Sequence, residues 1–154
     1  MCRIGIFYGS NTGNTREVAE AIASGVIAAG GTAEIKNVAK AFPEELLKYD
    51  GLALGSSTWG DGKFQRDFDF FHEMMDGLDL RGKKAIPFGS CDPLYEQFGK
   101  AVDMIDSRLK ELGAETIASP VKIIRTPGEA DKKNCYEIGK QLANEVIKQE
   151  SPAI

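Results

Sequence analysis

Short apolar runs alternate along the whole chain with longer stretches in which apolar residues recur at helical spacing. The runs predict strands at 3–8, 32–37, 51–56 and 84–89, and a last strand split around Pro120 into 115–118 and 121–124. Between them, Val18, Ile22 and Val26 share one helix face, Phe98, Val102, Ile105, Leu109 and Leu112 a second, and Cys135, Ile138, Leu142 and Val146 a third. These stripes read as core. Strand and helix in strict alternation imply an α/β fold, a doubly wound five-stranded parallel sheet with helices on both faces. A polar, glycine-rich loop after the first strand favours the order 2-1-3-4-5, with ligands bound beyond the carboxyl ends of the strands, beside strand one. Residues 1–150 read as a single domain ending soon after a fifth helix, and 151–154 as a flexible tail.

Three loops should meet at that end. The first lies in IGIFYGSNTGNTREVA, residues 4–19, where an apolar run breaks into Gly, Ser, Asn and Thr before a helix begins. The free N–H groups and positive dipole end of that helix form a phosphate site, and Ser10, Thr12, Asn14 and Thr15 add uncharged donors. The loop lacks the Lys-Ser/Thr ending of a nucleotide-hydrolysing loop and the three-glycine dinucleotide pattern, so it suits one terminal phosphate. Loop two, residues 56–64, carries the only tryptophan, Trp59, and loop three, residues 89–98, carries Tyr95. Two such aromatics can sandwich a flat ring. Phosphate at one loop and a ring between the others describes a mononucleotide.

Composition narrows the classes. The chain has 154 residues, 42% of them hydrophobic, and a net charge of −4. The charge is concentrated at 61–106, where ten acids face six bases. Such a balance disfavours nucleic acid and membranes and favours a basic protein partner. No apolar run approaches a membrane span, and the first strand starts too early to leave room for a signal peptide, so a cytoplasmic location is expected. Cys2, Cys91 and Cys135 are far apart and read as reduced thiols, and a lone histidine, His72, rules out a multi-histidine metal site.

With these motifs in view, the chain resembles the flavodoxins, FMN-containing electron carriers, over nearly its whole length. The first-loop pattern is matched by Ile6, Phe7, Tyr8, Ser10, Gly13, Thr15 and Ala19, and STWGD at 57–61 and AVD at 101–103 match as well. No long insertion interrupts the fifth strand, as in the short-chain group. The resemblance implies that Ser10, Asn11, Thr12, Gly13, Asn14 and Thr15 hold the FMN phosphate, that Ser57 and Thr58 lie along the ribityl chain, and that Trp59 and Tyr95 cover the two ring faces. Backbone groups near Asp92, Gln97 and Gly99 would meet the pyrimidine edge, and the Gly60 carbonyl would sit near N5. Asp61, Ser90, Cys91 and Phe98 complete the cofactor-binding set.

The third loop reads CDPLYE where related chains commonly have GDSSYE, so Cys91 replaces a glycine and Pro93 removes one N–H. Lys63 and Arg66 would soften the negative field beside the ring. No residue is expected to act as catalytic acid, base or nucleophile, because the flavin carries the chemistry. The expected function is low-potential, one-electron transfer between neutral semiquinone and hydroquinone by a monomer. Its partners would be flavin or iron–sulfur reductases and low-potential acceptor enzymes, docking at an acidic rim of Asp61, Asp67, Asp69, Asp92 and Glu96. Two alternatives compete. An FMN-dependent NAD(P)H or quinone reductase would need the ring face that Trp59 and Tyr95 occupy. A phosphate-switched signalling module would need acids where the chain has Gly9 and Ser56.

Overall fold

In the computed structural model, residues 2–10, 13–59, 62–94 and 99–150 are described, Trp59 by its backbone alone. The continuous apolar runs become the middle of one parallel sheet. β1 (Arg3–Gly9), β3 (Gly51–Ser56) and β6 (Lys84–Cys91) are buried almost end to end, as strands covered on both faces must be. β2 (Thr32–Asn37) pairs with β1 on one side, and the short β7 (Glu115–Thr116) and β8 (Val121–Ile124) share the outer edge of β6 on the other. The order is therefore 2-1-3-4-5 with the fifth strand in two pieces. Ile6 stands opposite Ala53, Ala53 opposite Ile86, and Phe88 opposite Val121, so every crossover delivers its strand end to the same edge.

The break in the fifth strand has a cause on β6. Ile117 N–H donates to the Ala85 carbonyl at 3.0 Å, and Arg125 N–H donates to the Cys91 carbonyl at 2.8 Å, so the odd-numbered residues of β6 turn their polar groups to this edge. Pro87 faces the same way and has no N–H to offer. The ladder lapses beside it and resumes at Phe88.

Helices α1 (Asn14–Ala28) and α4 (Glu129–Glu150) cover one face. They touch backbone to backbone: a Cβ on Gly25 would lie 1.9 Å from the Tyr136 carbonyl oxygen, and one on Gly139 would lie 2.1 Å from that of Ile22. Helices α2 (Arg66–Met74) and α3 (Lys100–Glu111) cover the other. Ahead of α2, a small hairpin pairs β4 (Thr58–Trp59) with β5 (Lys63–Phe64), turning at Gly62 with φ of 85°.

One expected element takes a different form. The crossover from β2 to β3 is two 3₁₀ segments, Val38–Lys40 and Pro43–Lys48, instead of an α-helix. Pro43 can begin a helical segment but cannot continue one from the preceding residues, and local bonds claim the backbone N–H groups ahead of it. Asn37 Oδ1 accepts from Ala39 N–H at 2.9 Å, and the Glu45 carboxylate accepts from Phe42 N–H and from Lys36, both at 2.6 Å. The apolar stripe foreseen from Phe98 to Leu112 begins as helix at Lys100, with Gly99 as its left-handed N-cap.

Candidate functional site

The carboxyl ends of β1, β3, β6 and β8 bring four segments together. After β1, Ser10 Oγ accepts from Gly13 N–H at 3.0 Å, drawing the loop into a turn. Gly13 adopts the left-handed region, φ 89°, and no described atom lies within 4 Å of where its Cβ would stand. A substituent there would intrude on open space in front of the α1 N-terminus, where the first N–H groups lack helical partners. No charged residue occurs from Gly9 to Thr15. Asn14 is half-buried, and its Oδ1 lies 3.4 Å from Thr126 Oγ1.

Thr15 plays a different part from the loop residues around it. It is fully buried, and its hydroxyl lies 3.1 Å from that of Ser90 near the end of β6. The pair ties the first loop to the third. Arg16 points back to the Tyr8 hydroxyl at 3.5 Å.

The second loop is fastened at both ends. Ser56 Oγ accepts from Gln65 N–H at 3.0 Å and donates to the Ser57 carbonyl at 2.9 Å. Gln65, almost fully buried, accepts from Phe68 N–H at 3.1 Å and so caps α2. It lies against Gly9, where a Cβ would come within 2.4 Å of its Oε1. Thr58 Oγ1 accepts from Ala101 N–H at 3.3 Å, linking the hairpin to the start of α3. Ser57 Oγ is buried with no hydrogen-bond partner among the described residues. An unmet buried hydroxyl is costly and suits a ligand that carries hydroxyls of its own.

In the third loop Cys91 is buried, its Sγ is 3.9 Å from the Gly89 carbonyl, and burial pushes its thiol up from the ordinary value. Asp92 Oδ1 accepts from Leu94 N–H at 2.9 Å and from Arg125 at 3.3 Å. The Leu94 bond, and then Arg125, hold its carboxyl below the usual range. Arg125 itself stands at φ 55°. Among the expected rim acids, Asp67 accepts from Gln65 Nε2 at 3.0 Å and Asp69 is exposed. Asn11, Thr12, Gly60, Asp61, Tyr95, Glu96, Gln97 and Phe98 lie outside the described residues, as does the side chain of Trp59.

Of the expected site residues, Ser10, Gly13, Asn14, Thr15, Ser57, Thr58, Ser90, Cys91, Asp92 and Gly99 are described, and their loops converge on this one edge. Gln65, Arg125 and Thr126 went unforeseen. The last two follow a strand on the edge that carries the other loops, in RTPG at 125–128, and that position was their signal in the sequence. Among the described residues there is no cluster of His, Cys, Asp or Glu fit for a metal ion, and no helix long and apolar enough to cross a membrane.

Comparison with known proteins agrees with this geometry. The family model described as flavodoxin matches residues 6–139. A flavodoxin of Nitratidesulfovibrio vulgaris is 38% identical over 131 residues, covering 82% of this chain and 88% of that one. Oxidised flavodoxin 2 of Bacillus cereus superposes with a TM-score of 0.89 at 37% identity over 94% of this chain and 99% of that chain, and flavodoxin 1 of the same organism with 0.86 at 36% over 95% and 97%. An uncharged turn at a helix N-terminus and an unmet hydroxyl beside it fit the phosphate and polyol of FMN. The chain belongs to the flavodoxin family of FMN-binding electron carriers.

Proposed function

We propose that this chain is a low-potential one-electron carrier whose non-covalent FMN cycles between neutral semiquinone and hydroquinone. The observation that carries this reading is the uncharged turn from Gly9 to Thr15 at the α1 N-terminus. Bound FMN supplies flavin redox chemistry, and the chain sets its direction. Ser10, Asn11, Thr12, Gly13, Asn14 and Thr15 would hold the phosphate with neutral donors, leaving its charge in place. A unit charge at ~10 Å is worth roughly 0.4–1.7 kcal/mol for dielectric constants from 80 to 20, so further negative charge on the ring is disfavoured. Asp61, Asp92 and Glu96 would add to that field.

Thr15 serves this site through its bond to Ser90, which holds the phosphate loop against the third loop. Ser57 and Thr58 would follow the ribityl chain, and Trp59 and Tyr95 would cover the ring and exclude water. Gly60 can turn its peptide at little steric cost, presenting its carbonyl to a proton held at N5. Backbone groups near Asp92, Gln97 and Gly99 would meet the pyrimidine edge, and Asp61, Ser90, Cys91 and Phe98 would complete the cofactor-binding set. The protein would act as a single domain over 1–150, a monomer in the cytoplasm. It would exchange electrons with flavin or iron–sulfur reductases and low-potential acceptor enzymes at an acidic rim of Asp61, Asp67, Asp69, Asp92 and Glu96.

Anaerobic stepwise reduction followed by visible absorbance and EPR tests this. A long-wavelength band with a radical signal midway is expected. Direct two-electron bleaching, or turnover of NAD(P)H by the isolated protein, would replace the carrier with a reductase.

A further inference from the structure

Arg125 holds a backbone conformation that the chain elsewhere leaves to glycine. At φ 55° it is the one non-glycine in the left-handed region among the described residues; the other seven positions there are glycines. A Cβ strains the backbone in that region, and such an outlier persists only where its surroundings hold it. What holds it is the third loop. As the chain leaves β8, Arg125 N–H donates to the Cys91 carbonyl at 2.8 Å, and the guanidinium lies 3.3 Å from Asp92 Oδ1. The same oxygen accepts from Leu94 N–H at 2.9 Å, so one carboxylate is shared between its own loop and Arg125. The following residue reaches the first loop, with Thr126 Oγ1 3.4 Å from Asn14 Oδ1.

Stability does not account for this arrangement. The Arg125 side chain is 57% exposed and that of Asp92 32%, and an ion pair so open to water adds little to folding. Charge gives the pair another use. Asp92 sits in the loop expected at the pyrimidine edge of the cofactor, and a charge fixed beside a redox group weighs unequally on its oxidised and reduced forms. Among the described residues, Arg125 is the only cation paired with Asp92; the acid at the start of α3, Asp103, is met by Lys122 instead, at 2.9 Å. Arg125 lessens the field of Asp92 without cancelling it, and Asp92 keeps its place in the acidic rim.

We propose that Arg125 is a positioning residue of the cofactor site: from a left-handed backbone it clasps the third loop at Cys91 and Asp92 and moderates the negative charge that Asp92 sets against a reduced flavin. This rests on the FMN reading, which puts the third loop at the pyrimidine edge, and not on the one-electron cycle. The test compares FMN-loaded R125K, R125Q and R125G with the parent protein by two measurements, the two-electron midpoint potential at low and high salt and amide exchange in the third loop. In R125Q the reduced flavin should lose about fivefold in affinity relative to the oxidised, a fall of about 21 mV over two electrons that shrinks at high salt. R125G should follow R125Q although it relieves the backbone, and R125K, which keeps the charge, should stay near the parent. The Leu94 amide, which donates to Asp92, should exchange about threefold faster in R125Q and R125G and recover in R125K. A potential unchanged in R125Q, or lowered equally in R125K, would overturn the charge role. Leu94 exchange unaltered in R125Q would overturn the clasp. A parent protein that binds no FMN would overturn the cofactor reading and with it the place of Arg125 in that site, while Leu94 exchange would still judge the clasp.

Discussion

The core under α1 and α4 is built chiefly from aliphatic side chains, Ile4, Ile6, Val18, Ile22, Leu142 and Val146 among them, and its two helices meet at Gly25 and Gly139 with no side chain between. The core under α2 and α3 is built around rings. Phe71 lies tilted at 5.8 Å to both Phe7 and Phe68, Phe64 tilts over Phe68 at 5.3 Å, and Tyr49 meets Phe7 edge-on at 5.7 Å. The first layer holds the first loop directly, since that loop runs into the start of α1. The second holds the hairpin through Phe64, seated between Phe68 and His72, and through Thr58, whose Oγ1 accepts from Ala101 N–H in α3. The first loop is continuous with a helix locked against its neighbour, whereas the hairpin is held by one ring and one hydrogen bond. The first loop is therefore expected to respond to changes in the aliphatic layer, and the hairpin to changes in the ring layer.

The largest test of that contrast is Phe68→Ala. Phe68 is fully buried, so its loss should cost about 3–5 kcal/mol in urea unfolding. Amide exchange should quicken in the hairpin residues 62–64 and stay slow in the first turns of α1; equal acceleration at both ends would erase the distinction. Gly25→Ala attacks the other layer. Its Cβ would collide with a backbone carbonyl, so the helices must separate, at a net cost of about 1–3 kcal/mol after the helix-propensity gain. FMN binding should weaken more than riboflavin binding, because the phosphate site moves; equal weakening would show that α1 does not hold that end alone.

The smallest effect is expected from His72. Burial, and after it the Arg108 guanidinium, hold His72 below its ordinary value of 6.5, while Asp69, Glu111 and the Met104 backbone pull it the other way. The unfolded chain therefore takes up the proton first. The contribution of this group is complete above pH 6.5 and is lost as pH falls through that value towards the folded-state one. In His72→Gln, the fall in urea midpoint on acidification should be shallower. An unchanged slope would show that the ring layer does not feel His72 titrate.

Much of this arrangement was legible because it follows from short-range pattern. Continuous apolar runs marked β1, β3 and β6, Pro120 marked the broken strand, and the polar turn after Tyr8 marked the loop at the head of α1. What escaped depends on contacts between distant residues. The sequence around Gln65 gives no sign that its side chain will cap α2 and lie against Gly9. Thr15 looked like one more loop donor, and only the approach of β6 turns its hydroxyl to Ser90. The two-piece 3₁₀ crossover after β2 was not foreseen; Pro43 and the Glu45 carboxylate start its second segment afresh and so divide it from the first.

The lapse in the ladder beside Pro87 has a further consequence. The chain leaves β6 after Ile117 and returns to it at Val121, anchored on both sides, with no sheet bond spent on the residues between. Extra sequence inserted there would break no sheet bond, and closing a longer excursion costs only slowly more as it lengthens. This edge is where the fold can acquire a new module, by descent or by design, and leave the electron-carrying end as it is.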